Sequence, residues 1–219
     1  MKTVKIWDLP TRVFHWCLAI AVLAAIASSK VGGDAMSLHM QFGYATLGLV
    51  VFRVVWGLFG GYWSRFSNWP LGATAMRRYL RGEAKPSETA GHSPTGALAS
   101  LALLTVVLAQ AVSGLVADDE IASFGPLVPW VSSSVSGWAT WYHHEVGQLL
   151  VLGLIGMHLL AIAFYTLIKR QSLIQAMLGG FKSLAHEVPD SQDAFAARLK
   201  GLLLLAFCVG GAWLLLSSL

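Results

Sequence analysis

Five apolar stretches dominate this chain of 219 residues, at approximately 11–29, 39–62, 94–117, 142–168 and 200–218. Each is long enough to cross a hydrocarbon core of about 30 Å at about 1.5 Å per helical residue. With no water inside a bilayer to satisfy peptide groups, such runs must form helices. The expected fold is therefore an all-α integral membrane bundle. Composition agrees, since 56% of residues are hydrophobic and only 12% charged, against about 25% charged in soluble domains. The net charge of +4 does not signal nucleic acid. The basic residues are not interleaved with aromatics on a polar surface; they lie between the apolar runs, where they set topology. Lys2, Lys5 and Arg12 ahead of an apolar run ending "AIASS" imitate a secretory signal peptide, but His15 inside the run argues for a retained first transmembrane helix.

Charge placement orients the chain. Lys2, Lys5 and Arg12 precede segment one, and Arg65, Arg77, Arg78, Arg81 and Lys85 separate segments two and three. Lys169, Arg170, Lys182, Arg198 and Lys200 separate four and five. The opposite side has Lys30 alone, with Asp118, Asp119 and Glu120 in its long loop. The positive-inside rule then puts the N-terminus in the cytoplasm and the C-terminus in the periplasm of a bacterial inner membrane. Trp130, Trp138, Trp141 and Tyr142 mark the outer interface, and Pro94 suits a first helical turn. "DSQDAFAARLKGLLLL" reads as a capped cytoplasmic helix leading into segment five. Cys17 and Cys208 fall inside apolar runs as small hydrophobes. The absence of CxxC and CxxCH argues against an iron–sulfur site or covalently attached c-type haem in this chain.

Histidines inside such runs need partners. His144 and His158 are fourteen residues apart, so they share roughly one helix face about 21 Å apart. His15 lies fourteen residues before Ser29 at the outer end of segment one, and His39 opens segment two on the outer side. Two levels result: His39 with His144 near the outside, and His15 with His158 deeper in. Two imidazoles from facing helices suit axial ligation of a haem iron without adding charge. A lone membrane histidine often only bonds a neighbouring helix, but four that pair by depth favour a cofactor. Zinc would gather its ligands at one depth, usually with a carboxylate or thiolate. His143 differs from His144 by about 100° around a helix, and the spacing to His158 favours His144, leaving His143 interfacial. Arg53 sits at the inner level, where it either snorkels to the interface or holds a haem propionate. His92 and His186 lie in connections and read as solvated or capping residues, although His92 is placed to touch a propionate.

Four stretches resemble one family: "IWDLPTRVFHW" at 6–16, "GHSPTGALASLALL" at 91–104, "DDEIASFGPL" at 118–127 and "HEVGQLLVLGLIGMH" at 144–158. They are similar to the bacterial cytochrome b561 family, which includes the cytochrome b subunits of nickel–iron hydrogenases. The resemblance covers roughly residues 4–170. It implies a four-helix di-haem core over 1–170; the cytoplasmic connection (171–199) and the additional transmembrane helix (200–219) depart from that four-helix pattern. It further implies two haem b groups, with His15, His39, His144 and His158 at the ligand positions. Electrons would pass between ubiquinone or menaquinone in the surrounding lipid and a periplasmic redox protein, either a c-type cytochrome or a hydrogenase-like enzyme. A second copy of the chain is a further candidate partner. Three rivals stand beside this reading: a self-contained superoxide (or other small-oxidant):quinone oxidoreductase, a proton channel or transporter using the histidines as a relay, and a pure membrane anchor that recruits an enzyme.

Overall fold

A computed structural model describes residues 2–191 and 193–219. Among the described residues, five helical stretches are long and apolar enough to cross a membrane: Leu9–Val31, Gly33–Phe59, Pro94–Leu115, Ser133–Ile168 and Phe195–Ser217. In chain order the elements are β1 (Lys2–Lys5), α1 (Leu9–Val31), α2 (Met36–Phe59), α3 (Ala73–Leu80), α4 (Pro94–Leu115), α5 (Ser133–Trp141), α6 (Gln148–Ala163), α7 (Leu173–Gly179), β2 (Phe181–Leu184) and α8 (Phe195–Ser217). Widened π-helical turns at Tyr142–Gly147 and Phe164–Ile168 flank α6. Along the spans, Leu23, Leu149, Leu160 and Phe207 are exposed, as side chains facing lipid should be.

Two compact units make up the chain. The first contains residues 1–13, 53–102 and 155–203; the second contains 14–52, 103–154 and 204–219. Of the chain's 15 lysines and arginines, all of them described, Lys30 alone belongs to the second unit. The first is called here the basic unit.

The basic unit has a small core of its own. β1 pairs antiparallel with β2, with Val4 opposite Lys182. Val4, Ile6, Trp7, Trp63, Ala90 and Ala176 are buried together. Gly180, at φ 89°, ends α7 in the left-handed region. Its carbonyl accepts from the Ile6 and Trp7 amides at 2.8 and 3.1 Å. Two carboxylates fasten the start of α1. Asp8, 1% exposed, accepts from the Thr11 amide at 2.9 Å, from Trp56 Nε1 at 3.1 Å and from Ser64 Oγ at 2.8 Å, an N-cap with two tertiary bonds added. Asp193 accepts from the Leu9 amide at 3.1 Å, Lys5 Nζ at 2.6 Å and Arg198 Nη2 at 2.9 Å.

The second unit packs α8 on α2. A Cβ on Gly48 would lie 2.6 Å from Val209 Cα and 2.7 Å from the Cys208 carbonyl oxygen, so glycine sets this backbone approach, as in membrane helix pairs generally. Tyr44, Leu115 and Leu216 form its buried apolar cluster.

Three expectations change. The link 118–141 was expected to be a loop, but it contains α5, whose Ser132 cap accepts from the Val135 amide at 3.4 Å. The polar connection 169–198 contains α7 and β2. Cys17 is exposed on its helix rather than buried. In the segment read as a capped helix, Gln192 lies outside the described residues, and α8 starts at Phe195.

Gly48→Ala is expected to cost about 1–3 kcal/mol through overpacking. Gly153→Ala, whose Cβ meets nothing within 4 Å, should be neutral or gain about 0.5–1 kcal/mol. Thermal melting of the detergent-solubilised protein measures both. Burial alone would raise the Asp193 carboxyl, but its bonds from Lys5, Leu9 and Arg198 outweigh this and hold it below the ordinary value. A depressed carboxylate contributes stability above its unfolded pKa of about 3.9 and loses it as pH falls through the folded value. Melting temperature should therefore drop on acidification below about pH 4, and Asp193→Asn should flatten that dependence.

Candidate functional site

The second unit encloses a cavity of about 260 Å³, mostly apolar, reached by His39 from α2, Gln110 from α4, and His143 and His144 from the π-turn. His39 Nδ1 lies 2.8 Å from the Ala25 carbonyl of α1. A carbonyl only accepts, so Nδ1 carries the proton and Nε2 keeps its lone pair. That is the tautomer a metal-ligating imidazole needs, oriented by a backbone partner.

The turn that brings in the other two histidines is held from α4. His143 Nδ1 donates to the Gln110 carbonyl at 2.9 Å, with Ser113 Oγ at 3.2 Å. Gln110 Nε2 donates back to the His143 carbonyl at 3.0 Å. Gly147 leaves room for the Gln110 side chain, which a Cβ there would strike. His143 was expected at the interface. It is instead half-buried, and its ring packs edge-on against His39, centroids 5.9 Å apart. His144 lines the same cavity but is the more exposed. The π-turn explains the difference. A widened turn changes the angular offset between neighbours, so both imidazoles reach one space; such turns recur at functional sites.

His15 belongs to the second unit and His158 to the basic unit. The basic unit also holds Arg53, 3% exposed. Its guanidinium lies over Phe66 (4.5 Å to the centroid) and Trp69 (5.2 Å), and Nη1 is sealed from solvent with no hydrogen-bond partner. Snorkelling into water is therefore not what Arg53 does. His92, read as solvated or capping, is neither. Its ring is clamped between Trp7 (4.8 Å) and Trp69 (4.3 Å), and its Nδ1 is sealed from solvent without a partner. Burial, then the charges of Arg53, Lys182 and His158, push its pKa down to about 3, so it is neutral in this arrangement. His186 is exposed, as expected.

The chain matches the prokaryotic cytochrome b561 family over residues 6–180. It belongs to that family. It is similar to proteins described as probable Ni/Fe-hydrogenase B-type cytochrome subunits. That from Azotobacter chroococcum mcd 1 is 25% identical, with 85% of this chain and 91% of the relative covered. The Rhodobacter capsulatus protein is 23% identical (84% and 83% covered) and that from Cupriavidus necator 22% (84% and 88%). No solved structure matches the chain. As a family member it is a multi-pass membrane cytochrome whose prosthetic group is haem b, and it carries electrons across the membrane.

The residues present fit that group. An apolar cavity holds an imidazole with a free Nε2, and a buried guanidinium lacks an anion. Among the described residues no three His, Cys, Asp or Glu side chains cluster as a conventional metal site. Sequence reading missed Gln110, Ser113 and the part played by His143. The one local signal was a polar Gln110 inside an otherwise apolar run.

Proposed function

We propose that this cytochrome carries electrons between the membrane quinone pool and a periplasmic redox enzyme through two haem b groups. The observation that supports it most directly is the cavity in which His39, with its Nε2 free, meets the π-turn histidines. One iron takes His39 and His144; the other takes His15 and His158, an assignment that rests on their register in the sequence. When bound, haem supplies reversible one-electron chemistry at low-spin iron. The protein's own residues do the rest. Ala25 fixes the His39 tautomer, Gln110 and Ser113 hold the turn that carries His144, and Arg53 offers its unpartnered Nη1 to a propionate.

The di-haem core spans 1–170, and residues 200–219 add a helix outside that core. The basic unit lies on the cytoplasmic side of the inner membrane, because its lysines and arginines obey the positive-inside rule. The periplasmic partner meets the chain near the Asp118–Glu120 loop. There Ile121 is 90% exposed, and the Ile121, Ala122 and Ser123 amides hold the Asp119 carboxylate below its ordinary pKa. The hydrogenase-linked relatives support a hydrogenase-like partner.

A second ligand assignment has an observation of its own. His143, not His144, packs against His39, so His143 is the rival ligand to the outer iron.

Purified protein should contain two non-covalent haems with b-type bands in the reduced-minus-oxidised spectrum. Reduction by added quinol should be faster than the spontaneous rate. His39→Phe and His144→Phe should each leave about one haem, while His143→Phe keeps two. Haem loss in His143→Phe with retention in His144→Phe would reverse the assignment. One haem in the unmodified protein would end the two-haem reading.

A further inference from the structure

The basic unit brings together two cations and a neutral imidazole, none of them in an ion pair among the described residues. Arg53 is sealed beneath Phe66 and Trp69 with Nη1 unpartnered. His92, across the same Trp69 ring, has its Nδ1 sealed and unpartnered. Lys182 of β2 reaches under the segment before α4, where Nζ donates to the Ala90 carbonyl at 2.8 Å and the Gly91 carbonyl at 3.2 Å. An ammonium has three donors, so one is left over. Burial lowers this amine to about 8.

Neighbouring carboxylates do not supply the missing charge. Asp8 is the anion whose field reaches Arg53, but its oxygens are already taken by Thr11, Trp56 and Ser64. Asp193 is committed to Lys5 and Arg198, and Glu88 to Arg78. Among the described residues, no ion pair involves Arg53, His92 or Lys182. A cationic group taken out of water and left uncompensated is a standing penalty, and a buried donor without an acceptor adds to it. Arg53 and His92 meet at one aromatic ring, Trp69, and Lys182 is bonded to the segment just before His92, so three chain segments bring donors together in a site for an oxyanion.

We propose that Arg53, His92 and Lys182 form a buried oxyanion site that takes a carboxylate of the inner haem, with His92 donating through Nδ1. The proposal rests on the two-haem reading above. His158, the expected inner ligand, is near enough to His92 to influence it electrostatically, which favours a haem carboxylate over a lipid phosphate. Arg53 and His92 were both legible as propionate contacts. The structure adds Lys182 and explains the aromatic clamp: Trp7 and Trp69 fix the imidazole in one orientation and keep water from it. Other charges facing the cluster are Asp8 and His158.

The inner-haem midpoint potential, followed by redox titration of the holoprotein, reads this out, with the outer haem as an internal control for folding. Removing a donor from a carboxylate leaves more uncompensated negative charge beside the iron, which favours the ferric state. His92→Phe, which keeps a ring between the two tryptophans, and Lys182→Met should each lower the inner potential. The expected size is about tenfold in the redox equilibrium, about 59 mV for one electron. His92→Gln, retaining an N–H, should recover part of the shift, and the outer potential should stay put. Two retained haems with an unchanged inner potential in both His92→Phe and Lys182→Met would overturn the site while leaving the two-haem reading intact. One haem in the unmodified protein would remove both. Native mass spectrometry covers the other source of an oxyanion. A phospholipid or inorganic phosphate held by the wild type and lost from both variants, with potentials unmoved, would assign the cluster to that ligand and overturn the haem carboxylate.

Discussion

Inside a bilayer a polar group without a partner has no water to fall back on, and it costs several kcal/mol. Each polar side chain retained in these spans therefore has either a partner within the protein or a ligand to meet. In the second unit His39 takes the Ala25 carbonyl, and His143 and Gln110 bond to each other, while Gln110 Oε1 and Thr46 Oγ1 stay buried without a partner. The basic unit leaves donors unspent on Arg53 and His92.

Holding these groups in place is the task of the connections as much as of the spans. α1 begins where Asp8 caps it and Asp193 receives the Leu9 amide. His15 follows Asp8 by seven residues, about two helical turns and about 10.5 Å along the axis. Fixing the cap therefore fixes the height of the imidazole. Both carboxylates are themselves held by groups distant in sequence: Trp56 and Ser64 on one, Arg198 on the other. The length of α1 and its anchoring are thus parts of one device that sets the depth of the His15 side chain.

The five spans were readable because hydrophobic runs of that length admit one solution in lipid. The placement of His39 and His144 on one cavity was readable because fixed rise and rotation per residue convert sequence spacing into depth and face. What escaped the sequence was set by non-local or geometrically irregular features. β2 has no strong alternation, and it pairs because β1 comes to it from the far end of the chain. His92 looked like a solvated loop residue because its clamp is assembled from Trp7 and Trp69, neither adjacent in sequence. His143 was put at the interface by assuming a regular helix, whereas Tyr142–Gly147 is a π-turn. No composition rule announces such a turn, though Gln110 and Gly147 together accommodate it.

The π-turn also bears on how one chain can hold a rigid ligand and still accept its cofactor after the helices have formed. A regular helix would commit a single histidine to the cavity and turn its neighbour about 100° away. The widened turn keeps His143 bonded to Gln110 and Ser113 while His144 remains more exposed on the same cavity. The rigid part of the site is then His39, with its tautomer fixed by Ala25, and the adjustable part is the turn opposite. An imidazole not tied down by a second bond can swing to an incoming iron without breaking structure. His143 is tied down through Nδ1, which leaves its Nε2 lone pair available as on His39 but fixes the direction in which it points. His144 is thus the adjustable imidazole of the pair, and His143 is the one that holds the turn open.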